Sequence, residues 1–248
     1  MIDLPSCGIL AAAGVRVPWA EIPDLRKNVG SHRGEALAPI VRQSDEQTVL
    51  ALAAVLRATG SAGWHSRSFA NWGVVASGRS FGRLRFDAAI ERYRRLQTRG
   101  ASPFVVPHVP LHALSGTLSI ALGMHGPNYG VSGNADHVSE TLLAALGLIE
   151  RENVEGLWVV VCDFDPEPSL NDDGEPARAV DGQAAALAIS RGPSAIELTL
   201  GPGIQPGGTL RNLIEWLEAP VVSPWRCGVA GVGVLDINRV AKALRKVG

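Results

Sequence analysis

Three side chains near the middle of the chain have the types that hydrolytic chemistry uses. Ser132, Asp136 and His137 supply a hydroxyl, a carboxyl and an imidazole within one short segment. A catalytic triad needs the acid to orient the base, but neighbouring residues on one helix point about 100° apart. We therefore expect Asp136 to cap the helix that it precedes, and we retain Ser132 and His137 only as weak catalytic candidates.

The remaining groups with redox or ligand chemistry have no spacing that predicts a site. The three cysteines are widely separated and include no CxxC pair, which indicates a reducing cytoplasm; they are Cys7, Cys162 and Cys227. His108 and His112 are one helical turn apart, but Pro110 lies between them and disfavours a continuous helix. The sequence therefore predicts no metal centre and no cofactor.

A dense group of arginines forms a second candidate site. The group consists of Arg79, Arg83, Arg85, Arg92, Arg94, Arg95 and Arg99. Arg92, Arg94 and Arg95 lie on a helix predicted near residues 87–98, where their charge would attract an acidic protein. A charged face that contacts only solvent is the alternative interpretation.

Alternating strands and helices must position these residues. Apolar and β-branched runs predict strands at 7–17, 72–78, 129–132, 157–162, 182–190 and 195–200. Apolar residues at helical spacing predict helices at 44–60, 87–98, 111–122, 136–151, 209–218 and 237–246, the first with a capping box of Ser44 and Gln47. The alternation predicts an α/β fold with a mostly parallel sheet and helices on both of its faces.

The chain length favours one main domain with a small addition. We expect a domain over residues 1–201, followed by a helical tail over residues 202–248 that packs on the same domain. The boundary is the glycine- and proline-rich segment 201–208. The acidic, proline-containing stretch 163–181 is predicted to be a flexible loop rather than a cation site.

The charge balance excludes several classes of partner. The chain has 23 lysines and arginines against 24 acidic residues, so no net field favours nucleic acid or an anionic membrane. No basic leader precedes an apolar stretch, and no apolar run reaches the roughly eighteen residues of a membrane span. We expect a soluble cytoplasmic protein.

The order of several segments resembles the approach to the active site in β-ketoacyl synthases. Ser102-Pro-Phe-Val-Val-Pro is followed by a small-residue helix that ends in Gly126-Pro127-Asn128, then by a Val-Ser strand, a long helix and an apolar strand. The resemblance extends from about Ser44 to Leu200. It implies the N-terminal half of a thiolase-like fold, without the half that carries two histidines and a lysine in the family.

The resemblance also implies that this chain has lost the nucleophile of the family. Active members place a cysteine at the start of the helix after the Val-Ser strand, where the helix dipole favours the thiolate. The corresponding residue here is Ala135. The run Leu157-Trp-Val-Val-Val-Cys-Asp-Phe-Asp-Pro-Glu-Pro is similar to short, chain-length-factor-like homologues of aryl polyene-type pathways.

A non-catalytic subunit is the function that the resemblance implies. Its partner would be a full-length β-ketoacyl synthase, or a second copy of itself, because family dimers pair the strand that corresponds to residues 129–132. The residues near that dyad would line the substrate channel; they are Met124, Pro127, Asn128, Tyr129, Ser132, Asn134 and Ala135. Arg92, Arg94 and Arg95 would dock an acyl carrier protein.

A second function stays open. It is an independent acyl-thioester hydrolase or acyltransferase that has acquired a new nucleophile, such as Ser132. Fold alone does not exclude this activity.

Overall fold

The computed structural model describes residues 6–32, 37–100, 110, 112–131, 135–171, 176–219 and 223–240. Its strands are β1 (Ser6–Pro18), β2 (Trp72–Gly78), β3 (Asn128–Val131), β4 (Gly156–Asp165), β5 (Asp181–Ser190), β6 (Ile196–Gly201), β7 (Trp225–Val229) and β8 (Gly233–Arg239). They form one sheet in the order β3-β2-β4-β5-β1-β6-β8-β7.

Helices cover this sheet and connect its strands. They are α1 (Ile22–Ser31), α2 (Ala38–Gln43), α3 (Glu46–Ser61), α4 (Arg83–Leu96), α5 (His112–Leu122), α6 (His137–Arg151) and α7 (Leu210–Glu218). Short 3₁₀ turns follow β1 at Trp19–Glu21 and α4 at Gln97–Gly100. None of the helices in the described ranges is long and apolar enough to cross a membrane.

The predicted α/β class is confirmed, but the prediction of a mostly parallel sheet is wrong. Strand β2 pairs in parallel with β3 and β4, while the other five pairings of the described strands are antiparallel. A parallel pair needs a crossover that returns the chain to the same end of the sheet. Helices provide such crossovers between β2, β3 and β4, whereas the described residues of segment 166–180, which joins β4 to the antiparallel β5, form no helix.

Both faces of the central strands are buried, which explains why these strands are apolar throughout. Successive side chains of a strand point to opposite faces. In β4, Trp158 and Val160 pack in the core cluster that includes α3 and α5, while Leu157 and Val159 pack in the cluster with α6 and α7. The sheet therefore separates two apolar layers.

The N-cap of helix α3 lies one residue after the predicted cap, Ser44. The Asp45 side chain accepts a hydrogen bond from the Thr48 backbone N–H at 2.7 Å, so Asp45 is the N-cap. Ser44 donates to the carbonyl of Ile40 at 2.9 Å, and the Gln47 side chain donates to the carbonyl of Arg79 at 2.8 Å. The capping box predicted from Ser44 and Gln47 is therefore wrong, although the helix itself is confirmed.

The tail after Gly201 is only partly helical. The predicted helix α7 is confirmed, but the helix predicted from Ile237 is wrong up to Arg239, because these residues belong to β8. Strand β8 pairs with β6, where Ile196 lies opposite Arg239, and with β7. Pairing with the open edge of β6 therefore outweighs the local preference for a helix. The tail extends the main sheet.

Candidate functional site

The strand predicted to pair with a partner lies at one edge of the sheet. Strand β3 pairs with β2 on one side, with Val75 opposite Tyr129 and Ser77 opposite Val131. Within the described ranges no strand pairs with its other side. Tyr129 is 45% exposed.

The residues predicted to line a channel do not all face this edge. Asn128 and Tyr129 are exposed on β3, and the carbonyl of Pro127 accepts a hydrogen bond from the Val74 N–H at 2.8 Å. Met124 is buried in the core cluster that includes α5, and its carbonyl accepts a hydrogen bond from the Ser119 hydroxyl. Ala135 is exposed beside the start of α6. Ser132 and Asn134 lie outside the described residues.

Asp136 occupies the N-cap position of α6 without capping the helix through its side chain. Its backbone carbonyl accepts hydrogen bonds from the Glu140 N–H at 3.0 Å and the Ser139 hydroxyl at 2.9 Å. The predicted position is confirmed, and the predicted side-chain cap is wrong. Asp136 lines a groove of about 520 Å³ whose other walls are the glycine-rich segments 203–207 and 228–233.

The carboxylate that faces His137 comes from a different element. His137 Nε2 lies 3.8 Å from Asp163 Oδ2. Both residues are buried, His137 at the start of α6 and Asp163 near the end of β4. This pairing agrees with the expectation that Asp136 does not orient His137. Spacing along the chain did not indicate Asp163, because the contact joins α6 to a strand that follows it.

Two further buried polar side chains share this face of the sheet. Asp163 lies opposite Gln183 in the register of β4 and β5, and Ser77 is at the end of the neighbouring β2. Each of the three lies two residues along its strand from a residue that packs in the cluster with α6, as Asp163 does from Val161, so they point to that same face. Among the described residues, Ser77 Oγ, Asp163 Oδ1 and Gln183 Oε1 have no hydrogen-bond partner. We call Ser77, His137, Asp163 and Gln183 the buried polar cluster.

Burial shifts the protonation of Asp163 within this cluster. Desolvation first, and the nearby Asp165 carboxylate second, raise the pKa of Asp163 to about 7, while Arg79 opposes the shift. Asp163 can therefore hold a proton near neutral pH. Ser77 is 1% and His137 3% exposed. Within the described part of the chain these side chains are therefore enclosed by protein rather than open to solvent.

The three thiols are buried and protonated. Burial raises the pKa of Cys7 to about 12, and it also raises the pKa values of Cys162 and Cys227. Cys227 accepts a hydrogen bond from the Gly208 N–H at 2.8 Å, close to the start of α6 where Asp136 and Ser139 act on its pKa. The sequence did not indicate this proximity. The thiolate form that nucleophilic chemistry needs is disfavoured at each position.

The arginines proposed to dock a carrier protein lie on the exposed helix α4. Arg94 and Arg95 both pair with Glu91, at 3.6 and 3.0 Å. Arg92 forms no ion pair with any described residue. The predicted position of these charges on one surface helix is confirmed, whereas their docking role stays a prediction.

Comparison with known proteins agrees with this architecture. Residues 29–135 match the family described as "Beta-ketoacyl synthase, N-terminal domain". The fold is similar to a chain of the complex of the ketosynthase ApeO with its chain length factor ApeC from Xenorhabdus doucetiae. Its TM-score is 0.57 at 15% identity, and the alignment covers 94% of this chain and 99% of that one.

Two other solved structures are longer than this chain. The ishigamide ketosynthase/chain length factor has a TM-score of 0.54 at 16% identity, with 79% of this chain and 65% of that chain covered. A type II polyketide synthase ketosynthase bound to its acyl-carrier protein, AntDE:AntF, has a TM-score of 0.54 at 13% identity, with coverages of 76% and 63%. This chain thus spans less than two thirds of their length. The chain therefore shares the thiolase-like fold of these ketosynthase structures over a half-domain, and its residues 29–135 are similar to the N-terminal domain of β-ketoacyl synthases.

Proposed function

We propose that this chain is a non-catalytic, chain-length-factor-like subunit that pairs with a full-length β-ketoacyl synthase in the bacterial cytoplasm. The pathway would be fatty acid, polyketide or aryl polyene biosynthesis. The observation that carries the proposal is the place of β3, which lies at the edge of the sheet directly before the segment that leads to Ala135. The fold that the chain shares with ketosynthase and chain length factor complexes supports this choice of partner.

The edge of β3 is suited to pairing. An edge strand presents unpaired backbone N–H and C=O groups, which readily pair with another strand. Helix α5 packs against β3. Ile120 on α5 is 74% exposed, and Tyr129 on β3 is also exposed. Apolar surface beside open backbone groups favours a protein partner over solvent. A second copy of this chain is the alternative occupant of the same edge.

The absence of catalysis follows from the side chain at position 135. The methyl group of Ala135 cannot form a thioester, and the buried, protonated thiols offer no replacement among the described residues. The role that remains is to shape the acyl channel of the partner. In this proposal Asn128, Tyr129 and Ala135 contribute from the described part of the interface, and Arg92, Arg94 and Arg95 attract the acidic carrier protein.

Co-expression with the ketosynthases encoded beside this chain tests the proposal. We expect a stable heterodimer, and we expect its acyl-chain elongation to differ from that of the ketosynthase alone. The variant Tyr129→Asp should reduce co-purification, because it places a charge on the pairing edge. Val232→Asp, at a similarly exposed position in the turn between β7 and β8, should not. Failure of every neighbouring ketosynthase to bind would contradict the proposal.

One observation favours the second function, an acyl-thioester hydrolase. His137 and Asp163 form an imidazole and carboxyl pair of the kind that activates a serine. Their burial opposes the idea, since a base must reach its nucleophile in a site open to substrate. Thioester hydrolysis by the isolated chain that is lost in both Ser132→Ala and His137→Gln would favour the hydrolase.

A further inference from the structure

Helix α4 carries an apolar stripe along one side. The stripe consists of Phe86, Ile90, Tyr93 and Leu96, which are 50%, 37%, 47% and 51% exposed. At 100° per residue, these four positions fall within about 120° around the helix axis. No described residue of α4 is buried. The four side chains, which we call the α4 stripe, therefore lie outside the core of the described chain.

The α4 stripe faces away from the body of the protein. Leu84, in the first turn of α4, is partly buried against the core cluster that includes α3 and α5. By helical geometry, Leu84 lies about 180° from the centre of the stripe. The stripe is therefore on the outer side of a surface helix, where a flat partner can reach it.

Positive charge borders the stripe on both sides. At about 80–100° from the centre of the stripe, two arginines lie on each side of it. The two carboxylates of the helix, Asp87 and Glu91, lie farther round, at about 120° and 160°. The surface that a partner meets at the stripe is thus apolar in the middle and positive at both borders. The bordering residues are Arg83, Arg85, Arg92 and Arg94.

Two of these arginines are available to a partner. Arg83 and Arg85 bond to Glu167 and to a backbone carbonyl of the body, at 3.0 and 2.8 Å. The side chains of Arg92 and Arg94 bond to no described residue outside α4. The net charge of the whole chain is −1, whereas α4 alone has five arginines and two carboxylates. The near-neutral chain therefore has a local positive surface.

We propose that α4 binds the surface of an anionic phospholipid bilayer, with its axis in the plane of the membrane. The α4 stripe would enter the boundary between headgroups and acyl chains, and Arg92 and Arg94 would pair with lipid phosphates beside it. Tyr93 suits this depth, because its ring is apolar and its hydroxyl is polar. The inference goes beyond the pairing role of β3 and does not depend on it.

Two other occupants fit the stripe less well. A second copy of α4 would bring its arginines against those of the first. An acidic protein segment could pair with the arginines on one side, whereas a bilayer presents phosphates on both sides of a helix that lies in its surface. Arg92 and Arg94 can contact lipid and a carrier protein only in turn.

Co-sedimentation of the full chain with lipid vesicles tests the inference. We expect binding to phosphatidylcholine vesicles that contain about one third phosphatidylglycerol, and much weaker binding to phosphatidylcholine alone. Phe86→Asp should weaken this binding roughly tenfold, because it places a charge in the apolar part of the contact. Val232→Asp, at a position 54% exposed in the turn between β7 and β8, should leave the binding unchanged.

Charge reversal on α4 tests the border of the stripe. Arg94 and Arg95 make a matched pair, because they are neighbours that both pair with Glu91, at 3.6 and 3.0 Å. Arg94 borders the stripe, whereas Arg95 lies about 160° from its centre. At physiological salt, where exposed charges are screened beyond about 8 Å, Arg94→Glu should weaken vesicle binding several-fold more than Arg95→Glu.

Three results would overturn the inference. Circular dichroism and thermal melting first verify that each variant is folded. Equal vesicle binding by Phe86→Asp and the unchanged protein would contradict it, and so would equal effects of Arg94→Glu and Arg95→Glu. Binding to an acidic helical peptide without binding to vesicles would show a protein partner instead. The ketosynthase heterodimer is measured without lipid, so either proposal can fail while the other stands.

Discussion

Asp163 lies where three strands meet the start of α6, so that its carboxyl is surrounded by protein rather than water. Its neighbours in the buried polar cluster are Ser77 on β2, Gln183 on β5 and His137 on α6. Burial raises the pKa of Asp163 from 3.8 to about 7. The folded protein therefore binds this proton more tightly than the unfolded chain does.

The sign of the pH effect follows from that difference. A group whose pKa is raised by folding contributes stability below its unfolded pKa, and this contribution is lost as the pH rises through the folded pKa. The free energy of unfolding should thus fall between pH 4 and pH 7, by about 2–4 kcal/mol from this group. Asp163→Asn should flatten the fall, since the amide stays neutral. Chemical denaturation at several pH values measures this.

The exposed carboxyl of Asp87 on α4 supplies the control for this prediction. Asp87→Asn should keep the pH dependence of the unchanged protein, because the side chain is exposed. Identical slopes for Asp163→Asn and the unchanged protein would show that the cluster does not couple protonation to folding.

At the scale of single residues, the sequence shows which side chains are of reactive types, but it predicted few of their contacts. Ser132, Asp136 and His137 were grouped because they are close along the chain. The partner that His137 has in the structure, Asp163, becomes visible only when α6 is packed on the ends of β2 and β4. The pairing of strands decides this contact, and local spacing does not encode it.

The positions of helices and strands along the chain were more predictable than the relative directions of the paired strands. Helix α6 and strand β5 were predicted within a residue or so of their observed bounds, since apolar periodicity is a local signal. Helices α1 and α2 were not predicted. Whether neighbouring strands run parallel or antiparallel depends on long-range pairing. For the same reason the first residues of the helix predicted from Ile237, up to Arg239, belong to strand β8.

Gly126 shows why one element needs a particular residue at its entry. A Cβ added there would lie 2.6 Å from the backbone oxygen of Trp72, so a side chain would push the turn before β3 away from β2. Gly126→Ala should lower the free energy of unfolding by about 1–3 kcal/mol. Thermal or chemical denaturation of the purified chain measures the effect.

Gly147 in the middle of α6 is the matched control. A Cβ added to Gly147 meets no heavy atom within 4 Å, and the position is exposed. Gly147→Ala should therefore raise stability by about 0.5–1 kcal/mol, because alanine is the better helix former. If Gly126→Ala had the same small effect, close packing would not be what places a glycine before β3.

At the scale of the whole molecule, the two ends of the sheet differ. The central strands are buried on both faces, and the tail adds β8 and β7 beyond β6, so that one end of the sheet is extended. The opposite end stops at the short strand β3. Since Tyr129 and Ile120 are exposed near this end, we propose that a partner binds at this edge, which leads to Ala135.

This asymmetry makes the product of the assembled pair a test of the whole arrangement. If Tyr129 borders the acyl channel of the partner, its volume limits the length of the chain that the pair makes. Tyr129→Ala should shift the product distribution towards longer chains and Tyr129→Trp towards shorter ones, in an elongation assay of the reconstituted heterodimer. Both exchanges keep the edge uncharged, so the heterodimer should persist and the effect should appear in product length. An unchanged distribution in both variants, with pairing intact, would mean that β3 joins the subunits without bordering the channel.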